Sequence, residues 1–171
     1  MLFKDIPKLY SHYPMYSVDA PLCELPRIID RHIQEHGLIL NPDFQRGHVW
    51  TSDQQRRFVE FVLRGGKSGL DLYFNHPGWM RDWKGEFVCV DGLQRITAFL
   101  DFFDNKVPIY GGHYYQDFED KLPWTMTMKV NINNLQTKRE VLEWYLELNS
   151  GGTPHSDDEL GKVRSILQSL E

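Results

Sequence analysis

The stretch Val88-Cys89-Val90-Asp91-Gly92-Leu93-Gln94-Arg95 decides the fold, because it joins a buried strand to a helix through a tight turn. Its apolar first half predicts a strand over Glu86–Val90. Apolar residues at helical spacing then predict a helix over Gly92–Asp104. This direct succession of strand, glycine turn and helix is the first indication of an α+β domain.

The start of the predicted helix is a candidate anion-binding site. Its first turn offers unpaired N–H groups and a partial positive charge, and Gly92 lets a ligand approach the backbone. Arg95 adds a planar guanidinium suited to phosphate oxygens. Asp91 would stand beside this cradle, where it can hold Mg²⁺ or accept a proton from a hydroxyl group. The same spacing also fits a purely structural alternative, in which Asp91 caps the helix and Arg95 makes a surface salt bridge.

Periodicity predicts further elements on both sides of this stretch. The predicted strands are 15–19, 38–40, 70–74 and an alternating segment over 126–132. The predicted helices are 21–36, 52–64 (with Phe58, Phe61 and Val62 inward), 137–148 and 156–171. Capping boxes are expected at Ser52 with Gln55, at Thr137 with Glu140, and at Ser156 with Glu159. We therefore expect one α+β domain over 1–171, with a small mixed sheet flanked by helices and an irregular arm over 1–14.

Composition limits the class of protein. The 171 residues are 41% hydrophobic and 25% charged, which excludes general disorder. The formal net charge of −5 argues against a protein that coats nucleic acid by bulk charge, although a local basic patch is compatible with it. Two cysteines form no disulfide framework, and no segment resembles a signal peptide or a membrane span. We expect no membrane partner and a cytoplasmic location, in a bacterial cell or a phage-infected host.

Two loops carry further candidate residues. Gln45 and Arg46 follow a predicted short strand and could reach the same ligand as Arg95, or they could belong to a solvated loop. Asn149 precedes a glycine-rich turn that could close over a ligand, or it could simply end a helix. Gly66-Lys67-Ser68 resembles the end of a P-loop, but it lacks the first glycine of that motif and follows a helix, so we reject a Walker-type site.

The segment His76–Gly85 is a predicted exposed loop with aromatic and basic side chains. Its candidate DNA-binding residues are Trp79, Arg81, Trp83 and Lys84, which could stack on bases or contact phosphates. The tryptophans could equally well pin the loop to the core. His32 and His36 have a spacing that can bind zinc, but no third ligand is evident, so we expect them on a solvated helix face.

Three blocks of the sequence resemble the GmrSD-type N-terminal domain family, formerly a domain of unknown function. They are Asn41-Pro42-Asp43-Phe44-Gln45-Arg46-Gly47-His48-Val49-Trp50-Thr51, Val90-Asp91-Gly92-Leu93-Gln94-Arg95-Ile96-Thr97 and Leu148-Asn149-Ser150-Gly151-Gly152-Thr153-Pro154. The second block resembles the family's Asp-Gly-Gln-Gln-Arg motif, with Leu93 in place of the first glutamine. The resemblance implies a ParB/sulfiredoxin-like fold.

The resemblance also implies a nucleoside triphosphate site in a DNA restriction system. Carried over by position, the nucleotide-binding residues would be Gln45, Arg46, Gly92, Gln94, Arg95 and Asn149, and the catalytic residues Asp91, Arg95 and Arg46. Restriction members continue into a helical or nuclease region, whereas this sequence ends at Glu171 and resembles no H-N-H nuclease. We therefore do not expect a complete restriction enzyme.

The expected function is nucleotide-dependent phosphoryl transfer, either as a phosphotransferase or as an NTPase, acting on or with DNA. ATP or GTP would be the nucleotide, with Mg²⁺ held by Asp91, and the acceptor would be water or a hydroxyl of a modified base. The first alternative is a non-enzymatic module that binds DNA in response to nucleotide or opposes restriction. The second alternative is a ParB-like nuclease.

Overall fold

The computed structural model describes residues 16–45, 47, 49–150 and 157–170, together with Leu2 and Asp5. The strands are β1 (Tyr16–Pro21), β2 (Asp71–Asn75), β3 (Val88–Asp91) and β4 (Thr127–Asn133). The α-helices are α1 (Leu25–His36), α2 (Ser52–Leu63), α3 (Leu93–Phe103), α4 (Lys138–Ser150) and α5 (Asp157–Ser169). Short 3-10 turns occupy Leu22–Glu24 and Tyr115–Asp117.

The four strands form one mixed sheet in the order β1-β4-β2-β3. Strand β4 pairs antiparallel with β1 and parallel with β2, while β2 pairs antiparallel with β3. The prediction of an α+β domain with a small mixed sheet flanked by helices is confirmed. In the part of the chain that the structure describes, no helix is both long and apolar enough to cross a membrane.

Both faces of the sheet carry a hydrophobic core. The larger core joins alternating residues of β2 and β4 to helices α1, α2 and α3; its central members include Leu72, Phe74, Val130, Ile96 and Phe99. A smaller core packs β3 against α4 and α5, through Val88, Val90, Leu142, Trp144 and Val163. Because β3 contributes to both cores, the strand that leads to Asp91 is buried on both faces, which fixes the position of its last residue.

The N-cap of helix α2 lies one residue earlier than predicted. Thr51, not Ser52, is the N-cap, and its hydroxyl accepts the N–H of Gln54, whose side chain returns to the Thr51 backbone. Gln55 is instead buried and donates to Asp101 Oδ2 at 2.8 Å. In this orientation of α2, the buried positions recur every third or fourth residue from Gln55. Phe61 is 42% exposed, so the prediction that Phe61 faces the core is wrong.

Other boundaries follow the sequence more closely. Helix α1 ends at Gly37 in the left-handed conformation, as predicted, and the capping box of Thr137 and Glu140 is confirmed. The predicted strand over 38–40 is reduced to a single bridge between Ile39 and Val88. Ser156 and most of the arm over 1–14 lie outside the described residues.

The prediction of a solvated helix face is wrong for His32. Its side chain is 6% exposed and packs edge-on against the rings of Trp79 and Phe87. Burial lowers the pKa of His32 to about 4, with smaller contributions from the charges of Arg31 and His36. His32 is therefore a neutral ring within the fold at neutral pH.

Acidification should destabilise the domain through His32. The pKa of the His32 imidazole is near 6.5 in the unfolded chain and near 4 in the folded one. Between pH 6.5 and pH 4, therefore, only the unfolded chain is protonated at His32. The free energy of unfolding should fall by up to about 3 kcal/mol as pH drops through this window. Urea unfolding at several pH values should show a flatter profile for His32→Gln than for the unchanged protein. Parallel profiles for the two proteins would contradict the assignment.

Candidate functional site

Strand β3 and helix α3 bring Asp91 and Arg95 into direct contact. The Nη2 group of Arg95 donates to Asp91 Oδ2. Its Nη1 group donates to the carbonyl oxygens of Asp71, at 2.8 Å, and Gly69, at 3.3 Å. The Arg95 side chain is 16% exposed and that of Asp91 33%, so the carboxylate is the more accessible partner. The guanidinium thus ties the end of β3 to the segment that enters β2.

Gly92 is the N-cap of α3, and no side chain caps this end of the helix among the described residues. Asp91 is therefore not the helix cap that the structural alternative required. Gly92 has a φ of +118°, which disfavours any residue with a Cβ, and a Cβ there would lie 2.7 Å from Leu72 Cδ2. The space that a Cβ would need is filled by Leu72, so packing alone explains the glycine.

The first turn of α3 is only partly available to an anion. The N–H of Leu93 bonds to the Cys89 thiol, and the N–H of Ile96 makes the first helical bond, to the Gly92 carbonyl. Cys89 is completely buried, and burial raises the pKa of its thiol well above its usual range. Cys89 is therefore the inert thiol expected in a buried strand, and the backbone N–H groups of Gln94 and Arg95 are the donors left for a ligand.

Gln94 holds the loop after residue 40 against α3. Its Oε1 accepts the backbone N–H groups of Val49 and Trp50, at 2.9 and 3.1 Å, and its Nε2 donates to the Gly47 carbonyl at 3.1 Å. The sequence predicts Gln94 as a phosphate ligand, and this contact with the loop is not part of that prediction. The blocks over 41–51 and 90–97 both resemble motifs of one family. That joint occurrence is the signal that could have suggested their contact in space.

Gln45, in the same loop, bonds to the backbone of β3. Its Nε2 donates to the carbonyl oxygens of Cys89 and Val90, at 2.7 and 2.8 Å, directly before Asp91. Gln45 therefore contacts the strand residues that directly precede Asp91, and its part in binding a nucleotide stays a prediction. Arg46, assigned to the same site, lies outside the described residues.

A polar patch on the sheet surrounds the ion pair. Tyr73 lies opposite Asp91 in the β2–β3 register, and burial, aided by the charges of Asp71 and Asp91 and opposed by Arg95, raises the pKa of its hydroxyl. Asn131 on β4 donates to Asp71 Oδ1 at 3.1 Å. These residues are not among the sites predicted from the sequence, although polar positions alternate with Met128, Val130 and Ile132 along β4.

The remaining candidates lie elsewhere. Asn149 is 8% exposed, and its Nδ2 donates to the Tyr145 carbonyl at 2.7 Å within α4; the turn that follows Ser150 lies outside the described residues. Trp79 and Trp83 contact rings of α1 and not the Asp91–Arg95 pair. Arg81 and Lys84 belong to the same loop. The loop is only partly exposed, because His76 is 1% exposed, contrary to the prediction.

Comparisons with known proteins place this site within a family. No curated protein and no solved structure matches the chain, so the ParB/sulfiredoxin-like description of the fold stays a prediction. One family matches over residues 25–128, which is more than half of the 171 residues. This range includes the whole Asp91–Arg95 region. Its description connects the chain with DNA restriction and implies DNA as a partner. The chain belongs to the family of the GmrSD restriction endonuclease N-terminal domain.

Proposed function

We propose that this domain binds a nucleoside triphosphate beside Asp91 and transfers its terminal phosphoryl group. The observation that carries the proposal is a one-third exposed carboxylate, held by Arg95, next to a helix N-terminus without a side-chain cap. Phosphoryl transfer needs mainly positioning and neutralisation of charge, which these groups can supply. A restriction system acting on modified DNA is the setting in which we place this activity.

Asp91 is the proposed acid–base residue. Its free carboxylate oxygen would accept the proton of the attacking hydroxyl as the new oxygen–phosphorus bond forms. The bond to the bridging oxygen of the nucleotide then breaks, and the nucleoside diphosphate leaves with the electron pair. The acceptor is water or a hydroxyl group of a modified base in DNA. Arg95 orients Asp91 through its Nη2 contact, and we assign Arg46 and the N–H groups of Gln94 and Arg95 to the phosphates. Gln45 would hold the end of β3 in place, because its Nε2 group donates to the Cys89 and Val90 carbonyls.

The chemistry of the donor set is compatible with Mg²⁺. The described residues contain no group of three or more potential metal ligands, but Mg²⁺ in nucleotide sites commonly takes one or two carboxylates and fills its other positions with phosphates and water. Asp91 is the carboxylate available for this role, in which case it would hold the ion instead of accepting the proton. The ion would neutralise charge on the phosphates when bound.

A second candidate function is a nucleotide-responsive DNA-binding module without turnover. It is favoured by one observation, that the polar groups of Gln45, Gln94 and Arg95 are all engaged by the protein itself. In this case the three residues would set the geometry of the loop and of the strand end, and nucleotide would change DNA affinity only.

Incubation with γ-labelled ATP or GTP, with and without plain and base-modified DNA, tests the proposal. Label on DNA would identify a transferase, and released phosphate would identify an NTPase. Nucleotide binding with neither product, together with a change in DNA affinity, would support the binding module and exclude phosphoryl transfer. Absence of nucleotide binding under all conditions would exclude both functions.

A further inference from the structure

A second cleft lies on another part of the surface, between β1, α1 and the loop over 76–85. We call it the aromatic cleft; it is defined by Tyr16, Arg31, His36, Trp79, Met80 and Trp83. Its volume of about 280 Å³ is close to the lower limit of small-molecule sites. A single planar ring system is a suitable occupant for a cleft of this size.

The rings of the cleft are arranged to receive another ring. Trp83 stacks on His36, with centroids 4.5 Å apart and an angle of 14° between the planes. Trp79 meets Trp83 edge-on at 4.8 Å, and Tyr16 tilts toward Trp79 at 5.7 Å. Trp83 is nevertheless 44% exposed and Tyr16 38%, so aromatic surface remains open to a ligand. Large aromatic side chains left in solvent around a cleft commonly mark a binding site.

The backbone of the loop is strained where it supplies the exposed side chains. Met80 and Trp83 both adopt left-handed conformations, with φ of 55° and 56°. Such angles are unfavourable for bulky residues and persist where the surrounding structure enforces them, often at binding sites. Here the strain places both side chains in the same cleft, with Met80 65% exposed.

Two ring nitrogens at the cleft lack a hydrogen-bond partner. His32 Nδ1 and Trp79 Nε1 are both buried and unpaired among the described residues, and both residues line the cleft. Unpaired buried polar atoms are rare in folded proteins and call for a specific explanation. An occupant of the cleft with its own donor and acceptor atoms would supply partners for both. A purely apolar occupant would leave both unpaired.

We propose that the aromatic cleft binds an unpaired nucleobase of DNA, stacked on Trp83 and hydrogen-bonded by His32 and Trp79. Bases combine a flat π-face with donors and acceptors on one edge, which matches both the open rings and the unpaired nitrogens. Arg31, exposed at the rim, carries the positive charge suited to the adjoining phosphate. This cleft is separate from the nucleotide site at Asp91 and would read the DNA itself.

Binding of single-stranded oligonucleotides that contain 2-aminopurine, measured without nucleoside triphosphate, tests this inference. Stacking on Trp83 should quench the 2-aminopurine fluorescence. Trp83→Ala should weaken binding by about 5- to 150-fold, the range expected for loss of one stacked base. The matched control is Trp124→Ala, because Trp124 is 67% exposed and lies outside the cleft. Its affinity should equal that of the unchanged protein.

Arg31→Ala guards against a folding artefact, since the Arg31 side chain is exposed. It should weaken binding and make the affinity less dependent on salt. Equal affinities for Trp83→Ala and Trp124→Ala, or absence of quenching in the unchanged protein, would overturn the inference. Because no triphosphate is added, these outcomes are independent of whether the Asp91 site hydrolyses nucleotide.

Discussion

Asp91→Asn is expected to lower the single-turnover rate of phosphoryl transfer by about 10²–10⁴, the usual contribution of a positioned base. Nucleotide affinity should largely survive, because asparagine has nearly the same shape and its Oδ1 can still accept from Arg95 Nη2. Removal of a negative charge beside the phosphates can even tighten binding. The informative measurement compares the rate and the nucleotide affinity for the same variant.

Asp101→Asn is a suitable control for that substitution. Asp101 also accepts from neighbouring side chains, Gln55 and Lys106, but it lies near the other end of α3. It should leave both rate and affinity unchanged. Full turnover in Asp91→Asn would refute the assigned role and leave Asp91 as the ion-pair partner of Arg95. Arg95→Ala is less informative, because Arg95 also bonds to the backbone of Gly69 and Asp71.

Gly92→Ala should destabilise the domain by about 3 kcal/mol. Alanine at this position would have to adopt a φ of +118°, which L-residues rarely do. Its Cβ would also lie 2.7 Å from Leu72 in the larger core. Each effect is worth roughly 1–3 kcal/mol. For a chain of this length the thermal midpoint should fall by roughly 6–12 °C. Calorimetry or circular dichroism on heating would measure it.

Gly111→Ala separates the two causes. Gly111 also has a left-handed φ, +85°, but no described atom lies within 4 Å of the position that its Cβ would take. It should therefore show only the backbone contribution, about 1 kcal/mol. Equal losses for Gly92→Ala and Gly111→Ala would show that contact with Leu72 is not what requires glycine at the start of α3.

The sequence by itself determined the class of the domain and the position of its main elements. Alternation along 126–132 predicted β4, because every second side chain of a strand faces the core. Gly37 marked the end of α1, and Thr137 with Glu140 marked the start of α4, because caps depend on neighbouring residues only. The short motifs likewise identified the family, since they are patterns of residue type and spacing.

Only the tertiary structure decided what the motif side chains contact. Gln45 and Gln94 bond to backbone groups more than 40 residues away, and Arg95 bonds to carbonyls of the segment before β2. Helical periodicity places His32 on a face of α1, but it carries no information on the Trp79 ring that covers that face. Local patterns report local backbone energetics, whereas burial, ion pairing and pKa shifts depend on residues that meet only when the chain folds.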